Sequence, residues 1–396
     1  MRTTTLTHRR ATGGLLAVVL TLGACASSST DSTPDAAAPD ARRLDADDPR
    51  PPPPPPRRAW SPAPLPPAYD PGPATDREPL ALPEREWAWV PLPRTRCLDG
   101  SSSGVLISAG APDAGLILYL QEGGACFNEA SCSSGTSRFS FGAEAGERFA
   151  ERLDTYTWLF TRGDASNPFR DWTFVFVPYC SGDVFAGDVL EAESGFTHVG
   201  AVNMRIALER LTDTFEPSHV LLTGSSAGGF GAAMSYERVH DAFVDARVTL
   251  LDDSGTPLHE PYMPTCLQRQ WRDAWGLTRT LPSSCEVCRE PEGGGLVGLL
   301  SHLAERYPAQ RFGLMTYRED YVIRLFFSMG YTARCDVFTL YPPEVFVEGV
   351  GQLEREVFAP HANLSLFVAE GAEHMLLPGA GSDPDRAFVR DLVFGE

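Results

Sequence analysis

Basic residues are scarce in this chain. Its 396 residues carry 33 Lys and Arg against 52 Asp and Glu, a formal net charge of −19 at pH 7. Gripping a phosphate backbone needs a Lys/Arg surplus, so nucleic-acid binding is disfavoured. The charge speaks to solubility and to repulsion from anionic surfaces rather than to fold. The phosphate-cradling motif G-x-x-x-x-G-K-[ST] is missing. Beyond the first 25 residues, no segment is apolar enough to span a bilayer. Internal repeats are lacking. So is a second C-x-x-C pair that could join Cys285-x-x-Cys288 in a zinc site. No metal or other cofactor is therefore expected. What is present is ordinary for a globular protein: 43% hydrophobic and 21% charged residues, enough for a full-sized core.

The first 25 residues read as a targeting segment. Arg2, Arg9 and Arg10 make a positive n-region, and Ala11 to Leu22 a short apolar h-region. The segment ends in Leu22-Gly23-Ala24-Cys25, which resembles a bacterial lipobox with Cys25 lipidated as the new N-terminus. Residues 26–82 are rich in Ala, Asp, Ser and Pro and include the unbroken run Pro51 to Pro56. Such a stretch cannot bury a core and reads as a disordered spacer. One catalytic domain is expected from 83 to 396. The expected location is the cell envelope, reached by export, with membrane contact only through the lipid; secretion follows if the lipobox is unused. With Cys25 set aside, Cys97, Cys126, Cys132, Cys180, Cys266, Cys285, Cys288 and Cys335 remain. An even number in an exported chain suggests up to four disulfides.

Within the domain, short apolar runs alternate with helical patterns. The runs are Leu116 to Leu120, Thr173 to Val177, Val220 to Leu222, Val248 to Leu251, Phe312 to Met315 and Leu364 to Val368. Continuous runs of this length suit strands buried on both faces of a parallel sheet. Helical patterns fall at Val199 to Leu211, Gly229 to His240, Leu296 to Tyr307, Glu319 to Met329 and Pro384 to Val393. The alternation predicts an α/β fold: a mostly parallel central sheet with helices on both faces.

The strongest local signal is Gly224-Ser225-Ser226-Ala227-Gly228, lying between an apolar run and a helical pattern. It fits G-x-S-x-G, a strand-turn-helix that presents a serine hydroxyl above the sheet. The glycine spacing centres the motif on Ser226 rather than Ser225. A hydroxyl attacks well only when a base takes its proton. His374, in a loop after the last apolar run, suits that role, and His361 is the rival. For the orienting acid, Asp320 follows the Phe312 run, while Asp252 and Asp253 follow the strand after the nucleophile helix. Asp320 could equally cap the helix that starts beside it. Backbone N–H groups for a developing oxyanion are expected from Ala227 and from the Gly-rich block Gln121 to Cys126.

Several blocks together resemble the pectin acetylesterase/Notum family of α/β-hydrolases. They are Cys97-Leu98-Asp99-Gly100-Ser101, Gln121 to Asn128, Val177 to Asp183, Gly224 to Gly229, Leu251 to Gly255 and Gly371 to His374. Their order matches, and they span roughly residues 90 to 380. The resemblance implies an α/β-hydrolase fold and a Ser-His-Asp triad of Ser226, His374 and Asp320. It implies oxyanion donors at Gly123, Gly124 and Ala227, and disulfides Cys97–Cys180 and Cys126–Cys132. The eukaryotic members carry a Trp beside the Gly-rich loop, where this chain has Ala125, so a small acyl group such as acetyl is the default.

The resulting expectation is a serine carboxylesterase acting on an acylated extracellular polysaccharide or another secreted ester. The alternatives are a lipid or lipoprotein deacylase, a peptidase or acyltransferase sharing the acyl-enzyme, and a catalytically silent surface lipoprotein that keeps the fold for binding.

Overall fold

The computed structural model describes residues 68–290, 292–331 and 334–395. Cys25, the targeting segment and the proline run lie outside them. The domain begins earlier than residue 83. Leu80 and Leu82 pack against the core, and the Tyr69 hydroxyl donates to the Arg94 carbonyl at 2.7 Å. These anchors are single residues inside a Pro- and Asp-rich stretch, so composition conceals them.

Eight strands form one sheet: β1 (Trp87–Leu92), β2 (Ser103–Ser108), β3 (Leu116–Leu120), β4 (Thr173–Val177), β5 (His219–Ser225), β6 (Arg247–Asp253), β7 (Phe312–Tyr317) and β8 (Leu364–Ala369). Their order is β1-β2-β4-β3-β5-β6-β7-β8. β1, β2 and β4 pair antiparallel, and from β4 through β8 every neighbour is parallel.

The pleat sends alternate residues to opposite faces. Leu116, Leu118 and Leu120 join one core with Val220, Leu222, Val248 and Leu250. The helices Gly200–Thr212, Ala227–Ala242, Thr265–Trp275 and Gly298–Arg306 cover that face. Ile117 and Tyr119 join a second core with Phe174, Phe176, Leu221 and Leu251. Helices Ala143–Ala150 and Asp383–Phe394 supply Phe149, Val389 and Leu392 to it. With both faces covered, the central strands need no polar alternation, which is why they read as continuous apolar runs.

Disulfides join Cys97 to Cys180, Cys126 to Cys132, Cys266 to Cys335 and Cys285 to Cys288. Four such bonds suit an oxidising, extracytoplasmic compartment. Among the described residues, no helix is long and apolar enough to cross a membrane.

Candidate active site

β5 turns sharply into the helix Ala227–Ala242, and Ser226 occupies the turn with φ 56° and ψ −118°. A non-glycine residue held there is strained by about 1–3 kcal/mol and persists only when its surroundings fix it. Here the Ser226 N–H donates to the Asp253 carbonyl at 2.7 Å. The small neighbours are needed for close approach. A Cβ on Gly228 would collide with the Leu120 carbonyl, and one on Gly229 with the Asp252 carboxylate.

Two loops beyond the carboxyl ends of β7 and β8 meet beside this turn. They stay zipped past the sheet through Arg318 N to Ala369 O at 2.8 Å, Glu319 N to Gly371 O at 3.0 Å and Tyr321 N to Ala372 O at 3.1 Å. The zipper brings Asp320 to His374. Nδ1–H of His374 donates to Asp320 Oδ2 at 2.8 Å, while Asp320 Oδ1 accepts from the N–H of Ile323 at 3.0 Å. Asp320 therefore caps the helix Tyr321–Phe327 with one oxygen and holds the imidazole with the other. The carboxylate is fully buried, which keeps water from competing for it. With Nδ1 as donor, Nε2 is the acceptor nitrogen. Nε2 is buried and has no hydrogen-bond partner among the described residues.

The Gly-rich loop after β3 is clamped from several sides. The Tyr179 hydroxyl donates to Gly124 O at 3.2 Å, Cys126 N–H donates to Gly182 O at 2.8 Å, and Trp275 Nε1 donates to Cys126 O at 2.9 Å. Gly124 has φ +67°, a left-handed conformation that glycine adopts without strain. Gly124, Ala125, Ser226 and Ala227 together line one crevice. Ala227 opens its helix, so its N–H has no intrahelical acceptor.

That crevice is narrow, with a cavity volume of about 20 Å³, and is otherwise apolar. Its walls are Val184, Phe230, Trp271, Val322, Ile323, Phe326 and Phe327. Trp271 is fixed by edge-on packing against Phe230 at 5.5 Å between ring centroids.

Of the other sequence candidates, His361 lies elsewhere, bonded to Val357 O and facing Glu305. Asp252 is buried, accepts from the Gly255 N–H at 2.8 Å, and has its carboxyl pushed well above the usual range by burial. Asp253, the other candidate acid, does not contact His374 Nδ1 but touches both the nucleophile turn and the histidine loop. Its Oδ2 accepts from Ser225 Oγ at 2.6 Å and from Leu377 N–H at 3.0 Å, and its Oδ1 accepts from Leu376 N–H at 2.8 Å. Among the described residues, no cluster of His, Cys, Asp or Glu is arranged to hold a metal ion.

Residues 92–294, more than half of the chain, match the family model for pectinacetylesterase. The chain is similar to the palmitoleoyl-protein carboxylesterase NOTUM of Drosophila melanogaster, at 27% identity over 48% of this chain and 31% of that one. It is similar to the human protein of the same name at 31% identity, over 36% of this chain and 29% of that one. The alignments thus span about a third of the length of these relatives. Among solved structures, the Wnt deacylase Notum from Drosophila superposes with a TM-score of 0.53 at 20% identity, over 74% of this chain and 86% of that one. This last likeness concerns the fold alone. The matched span holds the Gly-rich loop, Ser226 and Asp253, with Asp320 and His374 beyond its end, and on that match the chain belongs to the pectinacetylesterase family.

Proposed function

We propose that this protein is a serine carboxylesterase with Ser226 as nucleophile, His374 as general base and then acid, and Asp320 as the residue orienting the imidazole. The observation that carries the reading is the bond from His374 to the buried Asp320 carboxylate, with Nε2 unpartnered among the described residues, at the sheet edge where Ser226 is held in a strained turn.

The chemistry follows from those parts. Ser226 Oγ attacks the ester carbonyl carbon while His374 Nε2 takes its proton. The carbonyl oxygen becomes an oxyanion, for which the N–H groups of Ala227, Gly123 and Gly124 are the proposed donors. Collapse breaks the bond to the alcohol, which leaves with the proton from His374, and an acyl-Ser226 ester remains. Water, deprotonated by His374, then releases the acid and restores the hydroxyl. Asp320 holds the ring through Nδ1–H and stabilises the imidazolium in both halves.

The crevice lining bears on the acyl group. Each methylene buried against these walls is worth about 0.8 kcal/mol, so an acyl chain that parts them gains over acetyl by that amount per methylene. We therefore take an O-acyl ester with an alkyl chain longer than acetyl as the best-supported substrate class. An acetylated extracellular polysaccharide is the second reading, supported by the small Ala125 in the crevice wall.

Initial rates on p-nitrophenyl esters from acetate to palmitate, for wild type and Ser226→Ala, test both points. The expected result is a maximum at a medium chain length and loss of turnover in the variant. A maximum at acetate would replace the alkyl reading by deacetylation. A folded wild type no faster than the variant on every ester would sink the esterase reading.

A further inference from the structure

The buried polar groups beneath Ser226 form a connected chain that the catalytic steps above do not use. It starts at the Gly-rich loop, where the Tyr156 hydroxyl donates to Glu122 Oε2. The Tyr156 ring packs edge-on against Tyr119 with centroids 5.8 Å apart. The Tyr119 hydroxyl bonds Ser225 Oγ at 2.8 Å, and Ser225 Oγ donates to Asp253 Oδ2 at 2.6 Å. From Asp253 the contacts fan out to the Leu376 and Leu377 amides, the two residues that follow Met375 in the histidine loop. Ser254 closes the arrangement: its hydroxyl donates to Asp253 Oδ1 at 3.1 Å and accepts from the Met375 N–H at 3.1 Å. Ser254 and Met375 both have positive φ, 63° and 71°. Two non-glycine residues in that conformation, facing each other across this contact, mark a junction that its surroundings enforce.

We propose that Asp253 is a positioning residue that locks the nucleophile turn and the histidine loop into one register. Its backbone carbonyl holds the Ser226 N–H, and its carboxylate holds the loop that carries His374. The inference rests on the esterase reading. A fully buried carboxylate is a costly way to stop a strand, and a neutral cap would serve a turn equally well. Burial pushes the Asp253 carboxyl upward, opposed first by the Ser225 hydroxyl, then by the Leu377 and Leu376 amides and the His374 ring. Every named contact to the carboxylate comes from a donor. An amide side chain at this position would turn one acceptor into a second donor and push the histidine loop away. Misplacing a reacting group by about 1 Å costs about 10²-fold in rate.

The decisive variant is Asp253→Asn, assayed on the best p-nitrophenyl ester beside wild type and Ser226→Ala, with thermal unfolding recorded for each. The expected result is a kcat lower by about 10²-fold with KM little changed, because binding in the crevice is untouched while the transition state loses its alignment. A folded variant with wild-type kcat overturns the proposal, and so does a loss confined to KM. If the variant does not fold, Ser225→Ala decides. It removes one carboxylate donor and severs the link to Tyr119, and kcat is expected to fall at constant KM. Unchanged kcat in that variant overturns the proposal. An inactive wild type would count against the esterase reading itself. An active wild type with an equally active Asp253→Asn counts against this inference alone.

Discussion

The two sides of Ser226 are built from opposite materials. One side is polar and over-determined: Asp253, Asp320, Ser225 and Tyr119 are buried and bonded to named partners. The other is apolar, with Phe230, Trp271, Val322, Ile323, Phe326 and Phe327 lining a narrow crevice. Polar groups in a low-dielectric setting act through direction and distance, so small displacements there are expensive. Apolar walls act through area and shape, so changes there alter which substrate fits. The difference teaches that rate and substrate choice are separable in this molecule, and it can be broken or sharpened by substitution.

The largest effect is expected on the polar side. Asp320→Asn keeps Oδ1 as the cap for Ile323 but leaves an amide where a carboxylate held Nδ1–H. The imidazole then loses its tautomer and its charge partner, and kcat should fall by about 10³–10⁴-fold, the scale found when a triad aspartate is neutralised. Steady-state kinetics alongside an unfolding curve check this. A loss below tenfold in a folded variant would mean that another group orients His374.

Asp320 also illustrates what the sequence can reveal. From sequence it had two roles, helix cap or orienting acid, and its two oxygens turn out to make both contacts. The central strands were legible because burial on both faces leaves continuous apolar runs. β1 and β2 were not. They lie at the antiparallel edge, the first interrupted by Pro91 and the second opening in Ser and Gly, although Val105-Leu106-Ile107 is an apolar run as long as Val220 to Leu222 and could have marked β2. Helix Thr265–Trp275 was missed although Leu267, Trp271 and Trp275 recur at i, i+4 and i+8, a spacing that could have found it. Ser226, Gly123, Gly124 and Ala227 stood out because tight turns demand small residues at fixed spacing. Asp253 was a candidate acid, but its bridging contacts were not legible, because its partners come from another strand and from a loop more than 120 residues later. No local pattern records such a contact. The crevice was hidden for the same reason, since its walls come from separate helices.

On the apolar side the expected effect is smaller and of a different kind. Val322 lines the crevice and is only half-buried, so a larger side chain there can enter the space without disrupting the core. Val322→Trp should remove room for about two methylenes, lowering kcat/KM for the longer esters by roughly tenfold while leaving acetate near wild type. The ratio of octanoate to acetate rates measures it. A uniform drop across all chain lengths would show that this wall shapes the reacting geometry and would break the separation drawn above.

The smallest effect on turnover is expected where a buried carboxylate belongs to neither side. Asp183 accepts from Ser181 Oγ at 2.6 Å, Gly200 N–H at 2.6 Å and Gly187 N–H at 3.1 Å, and burial pushes its carboxyl up to about 6. The unfolded chain titrates near 3.8, the ordinary value for an aspartate. Because the folded value is the higher one, the folded state holds the proton more tightly. The stability this group contributes is then fully present below about pH 4, falls as pH rises towards 6, and is level above that. Asp183→Asn removes the titration and presents an amide donor to three donors, costing about 1–3 kcal/mol. Its kcat should stay close to wild type. In denaturant titrations from pH 4 to 8, the advantage of wild type over the variant should shrink up to about pH 6 and then stay constant. An advantage that grows with pH would mean that the three donors outweigh burial and hold this carboxylate ionised.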